Sequence, residues 1–553
     1  MRLNFLRLIL LALALVLALP IPAQAESTAT SEEQGPKVDE TVARLVDEES
    51  RVQVIVYGSD PVGALTRIGA SEIEYLALLD AARGSVRSTA VSELGRDTGV
   101  SYVVVDAPVE RTHSDDDDDV LPALSFPLLT TLFPQIDGAP AAWQQGYDGS
   151  GIGIAVIDSG VTPTLDFGSR LTQVQLGASA TSLDDAYGHG TFVAGVAAGE
   201  SRDGRYVGIA PGADIYSLNV ARGDGVLTSD VITALNWVYN NRQARNIRVA
   251  VLSLGETLPS SYKTNALDAA VEILWRAGVV VVVSAGNAGP HTAQYAPAND
   301  PFAITVGASD PNGTLATLDD TIASFSTYGH TLDGFLKPDL VAPGRHIVAP
   351  VPAGTTLDRT APEANHVESG YLRANGTSFS APQVAGAVAI LLQERPNLAP
   401  DQVKWLLQHT TRGSVSSTPG GALDVGRVLA YSGTVGYANQ RIEPSQALSL
   451  TAGSRTGDLN SPRAQRERLL ELAAGWEQIA LDRQAHSDSK QAAVAWEQAG
   501  AYYSQAGARK RAVAAWKNSG SWENSGSWEN SGSWENSGSW ENSGSWENSG
   551  SWE

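Results

Sequence analysis

Between residues 139 and 429 the chain alternates short, almost wholly apolar runs with longer stretches of helical spacing, and this alternation restricts the fold more than any other feature. The runs at 152–157, 249–254 and 279–283 have few polar positions, so each reads as a strand buried on both faces. The stretches 229–241, 264–277 and 380–393 carry helical patterns between and after them. Strand and helix in alternation lead to a parallel sheet with helices on both faces, an α/β domain.

The remainder needs further folded units, because 553 residues, 42% of them hydrophobic, exceed one ordinary core. With no cysteine, the chain has no disulfide scaffold, thiolate zinc site or cysteine nucleophile. Asp plus Glu number 61 against 38 Lys plus Arg, a net charge of -23 that repels phosphate backbones, so no nucleic acid partner is expected.

Arg2 and Arg7, the apolar run 8–19 and the small-residue pattern Ala23-Gln24-Ala25 read as a secretory signal over residues 1–25. The run is shorter than the roughly 20 apolar residues that span a bilayer, and no other stretch is long enough. The expected product has no membrane span after signal removal and is extracellular or periplasmic. Residues 26–132 read as a small α/β unit with strands at 52–57 and 102–106, a helical stretch at 74–83, and an acidic linker at 115–119.

Residues 433–517 hold a linker and then a helical region, in which Trp476, Trp496 and Trp516 recur every 20 residues. That is far from the roughly 34-residue repeat of tetratricopeptide hairpins, and a few packed helices with tryptophan anchors explain it equally well. This region is a candidate surface for an unknown partner. Residues 518–553 repeat Ser-Gly-Ser-Trp-Glu-Asn and are expected to form a disordered tail.

Three segments carry candidate chemistry. Asp158 ends the apolar run at 152–157 within Asp158-Ser159-Gly160, where open α/β sheets gather their functional groups. A strand-terminating turn is the competing reading. His189 begins a helix of small residues, Gly190, Ala194 and Gly195, and read singly is structural. Ser378, in Asn375-Gly376-Thr377-Ser378-Phe379-Ser380-Ala381-Pro382, stands at a helix start and read singly is a cap. The three together, in the order Asp, His, Ser within one parallel-sheet domain, are not explained by those separate roles.

In combination these segments resemble the subtilisin-like serine proteases, the subtilase family, over roughly residues 139–429. Supporting blocks are Gly208-Ile209-Ala210-Pro211-Gly212-Ala213, Leu252-Ser253-Leu254-Gly255, Ser284-Ala285-Gly286-Asn287 and 337–344. The order Asp, His, Ser is that family's known order. The resemblance implies a three-layer α/β catalytic domain with a mostly parallel sheet, here 133–432. A small α/β propeptide would precede it, acting as folding aid and intramolecular inhibitor, and a helical extension would follow.

The resemblance further implies a serine endopeptidase acting on protein or peptide substrates, with Asp158, His189 and Ser378 as the triad. Asn287 and the backbone N–H of Ser378 would form the oxyanion hole. Ser253, Leu254 and Gly255, with Gly223 and Gly225 opposite, would pair with substrate backbone, and Ala285 and Gly286 would line the first side-chain pocket. After residues 100–106 dock near the catalytic domain, the following segment would cross the cleft and be cut between 109 and 133.

Two residues depart from the family pattern. Phe379 stands where many members have methionine, and Phe192 replaces a second histidine, changing a subsite wall or a helix contact. Asp166, Asp184 and Asp185 are candidate calcium ligands, but 200–206 does not resemble the family's calcium loop, so no metal or other cofactor is expected. The competing functional class is a catalytically silent binding protein on the same scaffold.

Overall fold

A computed structural model of the protein describes residues 37–48, 50–112, 131–176, 183–221, 225–414 and 420–446, with separate positions beyond them that include 507–519. The segments expected as signal (1–25), acidic linker (115–119) and most of the repeat tail lie outside the described residues.

The N-terminal unit runs α1 (Glu40–Glu48), β1 (Arg51–Gly58), α2 (Pro61–Arg67), β2 (Ser71–Leu76), β3 (Ala81–Arg87) and β4 (Val100–Val105). Its strands form an antiparallel sheet of order β2-β3-β1-β4. The period of two along β1 divides its side chains between two cores. Val52, Val54 and Val56 join the cluster beneath the unit's own helices, whereas Ile55 and Tyr57 join the core of the parallel-sheet domain.

The helix expected at 74–83 does not form; that stretch is the β2–β3 hairpin. Leu76, Leu78, Leu79 and Ala81 have spacing that fits a helix, but all four are buried in the core of the parallel-sheet domain, and Asp80 takes a positive φ of 53° at the turn. Tertiary burial overrides the local pattern. The buried C-terminal residues Ala480, Trp496, Tyr503, Ala512 and Ala515 belong to the same apolar cluster as Val42, Leu65 and Leu94. The C-terminal helical region therefore packs with the N-terminal unit, and Trp496 is one of its anchors.

After β5 (Pro108–Arg111), the parallel-sheet domain comprises β6 (Gly153–Asp158), β7 (Leu171–Val174), α3 (His189–Ala198), β8 (Asp214–Asn219), β9 (Val226–Leu227), α4 (Thr228–Asn241), β10 (Ile247–Leu252), β11 (Leu254–Glu256), α5 (Ala266–Arg276), β12 (Val280–Ser284), β13 (Ile304–Asp310), β14 (Leu340–Pro343) and α6 (Thr377–Glu394). The path β7-β8-β6-β10-β12-β13-β14 is parallel throughout and continues to Gly421–Ala422. Helices α3 and α6 pack together on one side, and α4 and α5 on the other, giving three layers.

Strand β6 has β8 on one side and β10 on the other, so chain direction across the sheet reverses there. Such a switch opens a crevice beyond the carboxyl ends of the strands, and Asp158 is the last residue of β6. Among the described residues no helix is long and apolar enough to cross a membrane.

Candidate active site

His189 Nδ1 lies 2.9 and 3.0 Å from the two carboxylate oxygens of Asp158, and both residues are buried. The Ser159 N–H also donates to Asp158 Oδ1, at 2.7 Å. Burial raises the cost of the Asp158 charge. The His189 imidazole, its hydrogen bond, the Arg111 guanidinium and the Ser159 N–H outweigh that cost, so the carboxyl is held below the ordinary aspartate range.

Two glycines bring α3 this close to β6. A Cβ at Gly190 would meet the Gly160 carbonyl oxygen at 2.1 Å and Asp158 Cβ at 3.1 Å. Gly188, at the helix start, has a φ of 99°. Buried Asp185 fixes the turn by accepting from the N–H groups of Gly188 and Thr191 and from the Thr191 hydroxyl. All three candidate calcium ligands have local partners: besides Asp185, Asp166 accepts from the Thr164 and Tyr371 hydroxyls. Asp184 Oδ1 accepts from Gln173 Nε2. Among the described residues no group of three or more His, Cys, Asp or Glu side chains is arranged to hold a metal.

Ser378 is the second residue of α6, where the helix dipole favours negative charge. Pro382 lies four residues later and has no N–H, which releases the Ser378 carbonyl from the helix ladder. That carbonyl accepts the Ser253 hydroxyl at 2.8 Å, and Ser378 Oγ in turn donates to the Ser253 carbonyl at 3.2 Å. Phe379 is fully buried, with ring centroids 5.6 Å from His189 and 4.2 Å from Phe192. The two departures from the family pattern form one aromatic contact, so Phe192 is a helix-packing residue and not a subsite wall.

Asn287 Oδ1 accepts the N–H and the hydroxyl of Thr377, each at 3.0 Å. This fixes the amide so that Nδ2 donates to the Thr112 carbonyl oxygen. The Ser378 N–H donates to the same oxygen at 3.3 Å. Thr112 directly follows β5, which is antiparallel to β11, with Arg111 opposite Leu254 and Glu110 opposite Gly255. On its other side β5 pairs with β9 at Val226 and Leu227. The cleft strand is thus 108–111, whereas 100–105 remains in the N-terminal sheet.

Of the expected substrate-binding residues, Ser253 accepts the Thr112 N–H at 3.3 Å, and Leu254 and Gly255 pair with the strand. The opposing contact falls on Val226 and Leu227, with Gly225 just before them and outside the pairing; Gly223 lies outside the described residues. Ala285 is buried, and the Gly286 N–H donates to Thr377 Oγ1 at 3.1 Å. Sequence reasoning missed Thr377, Ser284 and Thr112. Thr377 and Ser284 stood inside quoted motifs, but their hydroxyl partners come from distant parts of the chain. Thr112 lay within the expected cleavage zone without a distinguishing motif.

The N-terminal unit also caps α4. Asp106 accepts the N–H and hydroxyl of Ser229 at 2.9 and 2.8 Å, at the start of α4. Burial pushes its carboxyl up to about 6 despite those hydrogen bonds. Glu256 nearby accepts from Thr228 and Asn265, and burial raises it to about 7.

The three-layer fold is of subtilisin-like architecture; in it Asp158 meets His189, while Asn287 and Ser378 meet on the Thr112 carbonyl oxygen. The model of the subtilase family matches residues 149–445, more than half of the chain, and the chain belongs to that family. It is 36% identical over 278 residues to the serine protease AprX of Bacillus subtilis (strain 168), a match spanning 48% of this chain and 62% of that protein. Subtilisin BL of Lederbergia lenta is 35% identical over 285 residues, 51% of this chain and 90% of the relative. The crystal structure of fervidolysin from Fervidobacterium pennivorans, a keratinolytic enzyme related to subtilisin, shares the fold. Its TM-score is 0.55 at 23% identity, over 70% of this chain and 61% of that one.

Proposed function

We propose that the protein is an exported serine endopeptidase made as a zymogen, with Asp158, His189 and Ser378 as its triad and a propeptide lying within residues 26–132. The observation that carries this reading is the Thr112 carbonyl oxygen, which accepts from both the Ser378 N–H and the Asn287 amide. A carbonyl held that way is polarised towards the tetrahedral oxyanion, and the donors need no reorganisation as charge develops.

In the proposed cycle His189 removes the Ser378 proton as Oγ attacks the carbonyl carbon, while Asp158 orients the ring and balances the imidazolium. His189 then protonates the leaving amine, and water, activated by the same imidazole, hydrolyses the acyl-enzyme. Water is the sole co-reactant, so no cofactor enters this reading. Substrate backbone would take the place of β5 between β11 and β9, a mode that recognises main chain before side chain. The expected signal at 1–25 supports export.

Labelling with a serine-reactive fluorophosphonate tests the reading. Mature protein is expected to be modified at Ser378, and Ser378→Ala to remain unlabelled and accumulate as uncut precursor. A folded mature protein that takes no label would overturn the catalytic assignment.

A further inference from the structure

The register of β5 singles out one peptide bond. Pairing with β11 ends at Arg111, the next N–H donates to Ser253, and the next carbonyl oxygen lies between the two oxyanion donors. The carbonyl carbon beside the nucleophile therefore belongs to Thr112. Its side chain has a built receptor: Thr112 Oγ1 is 2.6 Å from Ser284 Oγ and 2.7 Å from Ser378 Oγ. Ser284 ends β12 and is only 1% exposed, so its hydroxyl faces the substrate pocket and not solvent. Three residues upstream, Val109 is buried between Glu256 and Val226.

We propose that the bond following Thr112 is the one the zymogen cuts in its own chain, and that the Ser284 hydroxyl selects a hydroxyl-bearing side chain on the acyl side of the cut. This deepens the serine endopeptidase reading and rests on it. Ser378 Oγ adds to the Thr112 carbonyl carbon as its proton passes to His189. The C–N bond to residue 113 breaks, and His189 gives that proton to the departing amine. Water then adds to the acyl carbon, the ester C–O bond breaks, Ser378 regains its proton, and Thr112 is left with a free carboxylate. A buried hydroxyl placed to meet another hydroxyl disfavours an isosteric methyl, which would leave it unpaired.

The experiment is intact-mass analysis and N-terminal sequencing of the full chain after expression, beside Ser378→Ala. A new N-terminus at His113, absent from Ser378→Ala, is the expected result. Cutting elsewhere in the active protein overturns the Thr112 assignment and leaves self-processing standing. Identical trimming of Ser378→Ala overturns self-processing itself. The mature protein is then given two fluorogenic peptides, Pro-Val-Glu-Arg-Thr and Pro-Val-Glu-Arg-Val, each with an amide-linked reporter. The threonine peptide is expected to have about tenfold higher kcat/KM, with the ratio falling towards one in Ser284→Ala. No threonine preference in the wild type, or a ratio unchanged by Ser284→Ala, overturns the role of Ser284.

Discussion

Thr377 holds Asn287 at two points: its backbone N–H and its hydroxyl both donate to Oδ1, each at 3.0 Å. An amide group so held has one orientation, with Nδ2 turned towards the Thr112 carbonyl oxygen. Asn287→Ala is expected to lower kcat by about 100- to 1,000-fold with little change in KM, the signature of a lost transition-state donor. Thr377→Val is expected to give a smaller loss, also in kcat. Steady-state kinetics on a small peptide amide check both, and a change confined to KM would contradict the assignment.

Asp158 is charged, buried and within hydrogen-bond reach of His189 Nδ1. Asp158→Asn keeps the shape but removes the charge that balances the imidazolium, so kcat is expected to drop by about four orders of magnitude. Fluorophosphonate labelling should slow in parallel, while thermal unfolding shows that the variant remains folded.

Phe379 follows Ser378 and packs against the His189 ring, and the chain's single methionine is Met1. Peroxide is expected to leave activity largely intact. Phe379→Met puts an oxidisable thioether against His189 and beside Ser378, and its activity is expected to decay in peroxide as sulfoxide forms. Mass spectrometry of the treated variant, read with residual activity, checks this.

Gly190 lets α3 lie against the end of β6, with the Gly160 carbonyl oxygen 2.1 Å from the position of a Cβ. Gly190→Ala must move backbone, at a cost of about 1–3 kcal/mol, and the shift displaces His189 from Asp158. A lower melting temperature together with a fall in kcat is expected. An unchanged melting temperature would show that the contact relaxes freely.

Asp106 is buried against Ser229, with Arg83 and Asp230 as its charged neighbours. Its folded-state value is raised, so between the ordinary 3.8 and about 6 the folded protein keeps a proton that the unfolded chain releases. Stability from this group is therefore greatest below that window and declines as pH rises through it. Melting of the Ser378→Ala precursor, compared with the same protein carrying Asp106→Asn, is expected to fall progressively behind from about pH 4 to about pH 6. Above that range the two should run parallel.

The active-site resemblance was legible because each element carries a local signature. Asp158 ends an apolar run, His189 opens a helix of small residues, and Ser378 begins another beside Pro382. The parallel sheet was legible for a related reason, since strands buried on both faces carry few polar residues, and β10 and β12 show this plainly. The helix expected at 74–83 failed because Leu76, Leu78, Leu79 and Ala81 fit two patterns equally well, and the surface that buries them belongs to a different unit.

By itself, then, the sequence determined the order of acid, imidazole and hydroxyl, the sheet that carries them and the zone where the chain crosses its own cleft. Tertiary structure alone decided that β5 is the strand in the cleft, that the Thr112 carbonyl faces Asn287 and Ser378, and that Ser284 meets the Thr112 hydroxyl. The contacts of the Thr112 carbonyl oxygen and hydroxyl with Ser284, Asn287 and Ser378 join residues 172 to 266 positions apart in the chain. Backbone pairing is nearly indifferent to side-chain identity, so it leaves little trace in composition or periodicity.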